Sequence, residues 1–441
     1  MKWHRLLSDA TESIGETFIL LEPDRRHLER ERTKFFDSGC QINPDLRPRH
    51  LDDMLFERAI GRLDVLRDEI AAQEPNKYIR EAYVCHIRDY ITNLKMIRYA
   101  ISAEHENFID GNIELYGMPD ARIFEAVCAW IRNDVMATSA GRPDLEDFSV
   151  KLLPLLPAAG GDPSILLPNN KVFRQVRDMH FTPGGYFHQL FAPDGIPEEP
   201  YVEQRYGDGI TKQAIANVGS DYAVGPAADG LWAVLSRSRK VIRPLGYRVD
   251  RSYFTGVIAH EVGSHLLEES NGSRQPLRLL GLGLNGFEKG NEGRAYLREQ
   301  IVYPDESVFV RQASWEYILA LHLSVSLASG LSGTRYTFVE LYRLLYALHR
   351  FWRERRYPLD TINEAQAREE AWLLAVRIMK GTDGSGGCYM KDTVYLEGSI
   401  ACWKLAEKNP ESILLGDIGK FNITDSRHVA ILRGLAILDD A

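Results

Sequence analysis

Apolar residues recur at a spacing of three and four positions over long stretches of the chain, which is the pattern of amphipathic helices. In the first part of the chain the pattern runs from about residue 51 to residue 109, most clearly over 54–70 and 83–101. Asp120 follows a break at residues 116–119 and is suited to cap a further helix that extends to about residue 133. The same spacing predicts later helices over 308–327, 338–353 and 362–379.

The middle of the chain has a different character. Prolines and glycines cluster between about residues 154 and 230, which predicts a loop-rich segment with short strands. Two apolar stretches at 231–235 and 241–249, joined around residues 236–239, predict a β-hairpin. Ser252 then lies where the cap of the next helix is expected. We therefore expect an α+β fold that is predominantly helical, with a helical region over 1–150 and a second domain over 151–441, packed as one unit.

The helix that follows contains candidate metal ligands. His260 and His265 flank Glu261 in the run His-Glu-Val-Gly-Ser-His. Zinc favours imidazole nitrogen and carboxylate oxygen, and catalytic sites have three protein ligands and an open position for water. Positions five apart in a regular helix point roughly 140° apart, so the two histidines would not meet at one ion. A π-type bulge of one residue restores a common face, and Gly263 lies where such a bulge is easiest.

Glu292 is the natural third ligand, and Glu261 would activate the water as general base. The stretch Asn-Glu-Gly-Arg-Ala at 291–295 has the character of a helix start and resembles the segment that supplies the ligating glutamate of zinc aminopeptidases. The 27 residues between His265 and Glu292 suffice for a helix, a turn and a second helix packed against the first. Glu268 and Glu269 are either partners that orient the ligands or solvated charges.

Composition excludes several other classes of function. The net charge of −9 argues against binding to nucleic acid or to anionic membranes. We expect neither a secretory signal, because the N-terminus has no apolar run, nor a membrane span of roughly 18 apolar residues. The five cysteines form no C-x-x-C pair, so a reducing, cytoplasmic location is expected.

Five blocks of sequence carry a family resemblance. They are Leu-Tyr-Gly-Met-Pro within 108–119, Ile-Ala-His-Glu-Val-Gly-Ser-His at 258–265, Asn-Gly-Ser-Arg-Gln-Pro-Leu at 271–277, Glu-Gly-Arg-Ala at 292–295 and Lys-Asp-Thr-Val-Tyr-Leu-Glu-Gly at 391–398. Together they closely resemble the tyrosine carboxypeptidase-like metallopeptidases, formerly a domain of unknown function. That family includes bacterial proteins named for a QEGLA motif and the animal microtubule-associated tyrosine carboxypeptidases. The resemblance extends from about residue 43 to the end of the chain.

The resemblance implies a zincin-like, gluzincin-type core that holds one zinc ion through His260, His265 and Glu292. It implies Glu261 as the catalytic acid and base, and the H-E-x-x-x-H spacing is the family's own. It also implies a carboxypeptidase that acts on the C-terminal tail of a peptide or protein; in the tubulin enzymes the residue removed is tyrosine. A zinc aminopeptidase or endopeptidase, and a non-catalytic metal-binding protein that recognises peptides, are the alternatives.

Two residues depart from the family pattern. The chain has Glu268 where the family usually has arginine, and Arg294 where it usually has leucine. Both lie beside the expected metal, so substrate preference is where we expect this chain to differ from its relatives. For the free carboxylate of a substrate, Lys391 is the first candidate cation and Arg294 the second, with an ordinary ion pair as the alternative for each. Tyr395 is the candidate donor to the oxyanion, with packing of its ring as the alternative.

Overall fold

Helices make up most of the chain in the computed structural model. The structure describes residues 2–12, 20–48, 53–158, 160–193, 195, 196, 198–225, 234–236, 241–243, 248–358 and 360–438. The α-helices of the first half are α1 Lys2–Thr11, α2 Arg25–Asp37, α3 Asp53–Gln73, α4 Lys77–Ile101, α5 His105–Tyr116, α6 Ala121–Gly141, α7 Glu146–Leu152, α8 Asn170–Phe181, α9 Tyr186–Phe191 and α10 Gln204–Asn217.

The second half begins with short strands and continues as helix. The α-helices here are α11 Arg251–His260, α12 Leu267–Gly272, α13 Leu279–Leu282, α14 Glu288–Gln300, α15 Glu306–Phe309, α16 Ala313–Ala328, α17 Phe338–Arg356, α18 Asn363–Met379, α19 Thr393–Lys408 and α20 Ser426–Gly434. A π-helix, Glu261–Leu266, joins α11 to α12. The strands are β1 Tyr201–Glu203, β2 Ala223–Val224, β3 Val234–Ser236, β4 Val241–Arg243 and β5 Arg248–Asp250.

The predominantly helical fold is confirmed, and so are the long helices near the start. The three residues between α3 and α4 form a short link between neighbouring helices that pack together. The Asp120 side chain accepts hydrogen bonds from the first backbone N–H groups of α6, as expected, but this helix extends to Gly141. Helices α17 and α18 lie close to the predicted ranges, whereas the range 308–327 is divided, since its first residues belong to α15 and α16 begins at Ala313.

The segment from residue 154 to residue 230 is more helical than its proline and glycine content suggested. It contains α8, α9 and α10, because short apolar runs between the glycines bury one face of each helix. Side chains such as Phe173, Phe187 and Ile210 reach the core. The loop-rich prediction was therefore wrong for much of this segment.

Two small sheets precede the π-helix. Strand β3 pairs antiparallel with β4, which confirms the two arms of the predicted hairpin, and β2 pairs parallel with β4. Residues 231–233 of the first predicted strand, and 237–239 of the turn, lie outside the described residues. Of the strand expected over 241–249, residues 244–247 lie outside the described residues, and the described ends belong to different sheets, since β5 pairs antiparallel with β1.

Strand β5 leads directly into α11, which decides how that helix begins. The Asp250 side chain accepts hydrogen bonds from the backbone N–H groups of Ser252 and Tyr253. Asp250 is therefore the cap, and the expected cap at Ser252 was wrong by two residues. Asp and Ser cap helices about equally well, so the end of the strand determines which one is used.

Helices α14 and α19 cross closely at the centre of this half. A Cβ atom on Gly293 would collide with the backbone of Gly398 on α19. Helix α16, against which α19 also packs, is buried on all sides, as expected for a helix that is apolar around its whole circumference. This packing fixes α14 beside α11 and the π-helix.

The first 150 residues contact the rest of the chain through hydrogen bonds. Asn112 accepts a bond from the Met390 backbone N–H at 3.0 Å, and Glu397 accepts one from the Asp120 N–H at 2.9 Å. The domain boundary at residue 150, the zincin-like topology and the cytoplasmic location stay predictions. In the part of the chain that the structure describes, no helix has both the length and the apolar character needed to cross a membrane.

Candidate metal centre

The predicted bulge between the two histidines is confirmed. The helix changes from α to π geometry at Glu261 and returns to α geometry at Leu267. The wider π turn brings the rings of His260 and His265 to the same side, with their centroids 5.0 Å apart. The five-residue spacing is therefore compatible with a shared ligand.

Glu292 on α14 meets both histidines. Its Oε2 atom lies 3.6 Å from Nε2 of His260 and 3.4 Å from Nε2 of His265. Ligands that surround zinc tetrahedrally at about 2.0–2.1 Å are roughly 3.3–3.4 Å from one another, so the distances from Glu292 to each histidine are close to those of ligands that share one ion. In the described part of the chain, His260, His265 and Glu292 form a group with donor atoms all within 4.8 Å of one another. That they bind zinc stays a prediction.

The charges of these groups depend strongly on one another. Burial alone would lower the pKa of His260, but Glu292, Glu299 and Glu261 together raise it to about 10. Burial would raise the pKa of Glu292, but the two histidines hold it well below its usual value of 4.5. Without a metal, a proton on His260 thus balances the carboxylates. A divalent cation that binds here must displace that proton.

Glu299 is a site residue that the sequence reasoning missed. Its Oε2 atom lies 3.3 Å from Nδ1 of His260, on the opposite side of the ring from Glu292. The contact is close enough for an ion pair, although Nδ1 of His260 has no partner with hydrogen-bond geometry among the described residues. A carboxylate this close makes a ligating histidine more basic. The signal was present in the sequence, because Glu299 lies seven residues after Glu292 and therefore on the same face of α14.

Glu261 is the first residue of the π-helix and is partly exposed, next to His260. Its charge contributes to the raised pKa of that histidine, which places the carboxylate within electrostatic reach of the ligand group. The structure therefore gives Glu261 a position beside the expected metal. Its role as general base stays a prediction.

Lys391 and Glu292 line the same cavity of about 230 Å³. Its walls include the rings of Tyr116, Phe287 and Tyr389. Lys391 also lines a second cavity of about 560 Å³, together with Tyr395. The first candidate cation for a substrate carboxylate therefore lies between two open spaces and beside a candidate metal ligand.

The ring of Tyr296 lies between Tyr395 and His260. Its ring lies 5.6 Å from that of Tyr296, which in turn lies 5.1 Å from that of His260. The Tyr395 hydroxyl accepts a hydrogen bond of 3.2 Å from Arg377. Burial and the charge of Glu292 raise the pKa of Tyr395 well above 10, so the hydroxyl keeps its proton as a donor must. Both interpretations of Tyr395, ring packing and donation, are compatible with this position.

The two departures from the family pattern are partners of each other. Glu268 and Arg294 form an ion pair in which each side chain is only 1% exposed. Asn291 donates a further hydrogen bond to Glu268, and Arg294 also pairs with Asp417. These contacts favour the ion-pair interpretation of Arg294 over substrate binding, because the guanidinium is buried and already bonded. Glu268 is not a solvated charge.

Glu269, the neighbouring carboxylate, is also engaged. Its two oxygens accept hydrogen bonds from Tyr222 at 3.0 Å and from Lys420 at 2.5 Å. Like Glu268, it therefore connects the ligand helix to its surroundings.

Comparison with known proteins places the chain beside one curated relative. No family model matches the chain, and no solved structure matches it. A stretch of 196 residues, 43% of the chain, is 28% identical to human microtubule-associated tyrosine carboxypeptidase 1. The chain is a distant relative of that carboxypeptidase. The match spans about a third (34%) of the relative's own length. The relation to the bacterial QEGLA proteins stays a prediction.

Proposed function

We propose that the chain is a zinc-dependent carboxypeptidase that removes residues from the C-terminus of a peptide or a protein tail. The observation that carries the proposal is the convergence of His260, His265 and Glu292 across a π-helix. A regular helix would point the two histidines in different directions, whereas the π-helix places them on the same side. The distant relation to a carboxypeptidase supports the choice of reaction.

In this proposal His260, His265 and Glu292 hold one zinc ion, and Glu299 orients His260. Bound zinc supplies Lewis acidity, which polarises a peptide carbonyl and lowers the pKa of water. Glu261 accepts a proton from the attacking water and later transfers it to the leaving amine. The partial exposure of Glu261 leaves its carboxylate accessible to that water.

The cavity lined by Glu292 supports cleavage at the C-terminal end of the substrate rather than at its N-terminal end. A C-terminal residue brings a carboxylate into the cleft, and a carboxylate removed from water requires a cation. Lys391 lines the same cavity as Glu292, so in this proposal it binds the carboxylate while the preceding peptide bond approaches the ligand group. The aromatic walls suit a large side chain, and the relative's name makes tyrosine the first residue to test.

Tyr395 completes the proposed machinery as the donor to the oxyanion that forms on the peptide carbonyl. It shares a cavity wall with Lys391, and its hydroxyl stays protonated. Its hydrogen-bond partner Arg377 fixes the direction of the ring, because that guanidinium is itself bonded to Asp392 at 2.7 Å. A donor held in this way loses little freedom during the reaction.

Peptides blocked at one end test the direction of cleavage. Zinc-loaded protein is expected to shorten an N-acetylated peptide with a free C-terminal tyrosine, and to leave its C-terminal amide intact. Glu261→Gln is expected to retain zinc and to lose turnover by roughly 10²–10⁴-fold, the usual contribution of a general base. Glu407→Gln changes an exposed carboxylate on α19 and serves as the matched control.

Equal cleavage of the amidated peptide would contradict the carboxypeptidase proposal and favour an endopeptidase. Release of residues from the N-terminus would favour an aminopeptidase instead. Full turnover by a zinc-retaining Glu261→Gln variant would show that the assigned base is wrong.

A further inference from the structure

Backbone carbonyls just before the bulge and within it accept hydrogen bonds from side chains. A helix that changes from four-residue to five-residue bonding displaces the usual backbone donors. The Ala259 carbonyl, just before His260, accepts bonds of 3.1 Å from both the Tyr186 hydroxyl and the Ser264 hydroxyl. The Gly263 carbonyl accepts one of 2.8 Å from the Arg298 guanidinium.

Tyr186 and Arg298 also contact each other. The guanidinium lies over the Tyr186 ring, 3.9 Å from its centroid. A second nitrogen of Arg298 donates to Asp417 at 2.6 Å, and the Arg298 side chain is fully buried. Cation, ring and carboxylate therefore form one rigid group against the bulge.

The Tyr186 hydroxyl explains why residue 263 is glycine. A Cβ atom at this position would collide with that hydroxyl and approach Leu190 Cδ2 to 2.9 Å. Gly263 does not have the positive φ that favours glycine, so what requires glycine at this position is the close approach of Tyr186.

Helix α14 links this group to the candidate metal centre. At about 100° per residue, Glu292 and Glu299 lie on one face of the helix, and Arg294 and Arg298 lie on another. The first face contacts His260, and the second contacts the Gly263 carbonyl and Asp417. A single helix thus supplies the carboxylate that meets the histidines and the cation that holds the turn between them.

We infer that Tyr186 and Arg298 are positioning residues that hold the π turn, and thereby hold His260 and His265 at the separation a zinc ion needs. Without these two donors, the turn relaxes toward α geometry and the histidines diverge. The inference rests on the proposed zinc site and adds residues to it that contact neither metal nor substrate.

Zinc affinity of three variants tests the inference. Tyr186→Phe removes only the hydroxyl, and Arg298→Lys keeps the charge but loses the fork that reaches both Gly263 and Asp417. Tyr222→Phe removes a tyrosine hydroxyl that bonds Glu269, beyond the bulge, and is the matched control. The measurements are competition for zinc against a chromophoric chelator and the thermal midpoint of the metal-free protein.

We expect Tyr186→Phe to weaken zinc binding roughly 10-fold and Arg298→Lys to weaken it further, as losses of ligand-supporting groups usually do. Tyr222→Phe is expected to bind zinc as the wild type does. A purely structural role predicts a lower thermal midpoint without a specific loss of affinity. Wild-type affinity in both folded variants, or a loss equal to that of the control, would overturn the inference.

Amide hydrogen exchange in the metal-free protein separates this inference from the proposed function. Tyr186→Phe is expected to speed exchange of residues 261–266 relative to Tyr222→Phe, whether or not zinc binds. A wild type that binds no zinc would contradict the proposed function. Unchanged exchange in this segment would overturn the inference.

Discussion

Replacing Arg294 with leucine, the residue that the resemblance places there, is expected to destabilise the chain strongly. The Glu268 carboxylate would then lie buried with Asn291 as its remaining hydrogen-bond donor among the residues that the structure describes. Arg294 has a second carboxylate partner, Asp417, but Asp417 also pairs with Arg298 at 2.6 Å. The loss of Arg294 therefore leaves Glu268 as the carboxylate without a cation.

The size of the effect follows from the burial of the pair. Removing one partner of a buried ion pair costs about 3–5 kcal/mol, because the other charge remains out of water. Glu268→Met is expected to cost less, about 2–3 kcal/mol, because Arg294 keeps Asp417. Both changes together leave an apolar contact but remove the buried acceptor of the Asn291 amide, and are expected to cost about 1–3 kcal/mol. The coupling free energy of the cycle, which is the sum of the two single costs less the cost of the double change, is therefore about 4–5 kcal/mol, above the roughly 3 kcal/mol that usually marks the upper end for neighbouring residues.

Urea unfolding of the metal-free protein, followed by fluorescence and circular dichroism, measures the four free energies of unfolding in this cycle. The exposed pair Arg25 and Glu29 serves as the control cycle and is expected to show no coupling beyond error. A coupling near zero for Glu268 and Arg294, or unchanged stability of Arg294→Leu, would refute the reasoning.

Three further predictions concern packing, substrate binding and pH. Gly293→Ala is expected to lower the free energy of unfolding in urea by about 1–3 kcal/mol, because its Cβ atom meets the Gly398 backbone; unchanged stability would contradict the close crossing. Lys391→Met is expected to raise KM for peptides with a free C-terminus by about 10-fold and to change kcat little, since it removes a cation for the carboxylate; an unaltered KM would argue against that role. In the metal-free protein the folded pKa of His260 is about 10, above its ordinary value of 6.5. The stability that His260 contributes is therefore fully present below pH 6.5 and is lost as the pH rises through 10, so the urea midpoint of the wild type should approach that of His260→Gln over this range; a constant difference would contradict the raised pKa.

The parts of the site that were predictable depend on local sequence rules. In a regular helix the H-E-x-x-x-H spacing would keep the two histidines from one ion, so the bulge at Gly263 followed from helical geometry once both were taken as ligands. The Asp120 cap and the antiparallel arms of the hairpin also follow from neighbouring residues. Each of these features is determined within a few positions of the chain.

The parts that were not predictable depend on distant residues. Glu268 and Arg294 are 26 positions apart, and the sequence analysis treated them as two separate charges beside the metal that alter substrate preference, whereas in the fold they form an ion pair. Tyr186 lies in the segment that was predicted to be loop-rich because of its glycines and prolines. The hydroxyl that explains Gly263 could therefore be identified only after α9 was placed against the π-helix.

The start of α11 also depends on residues that are distant in the sequence. Asp250 and Ser252 are both good capping residues, and pairing of β5 with β1 decides between them. That pairing joins residues about 50 positions apart, so local propensity alone does not determine it.

The zinc content of the purified protein tests the central claim most directly. Elemental analysis after gel filtration is expected to find about one equivalent of zinc per chain in the wild type and a large loss in His265→Ala. The variant His428→Ala, which alters a buried histidine remote from the three ligands in sequence, is expected to keep its zinc. Less than about half an equivalent in the wild type, or equal zinc in His265→Ala, would contradict the account.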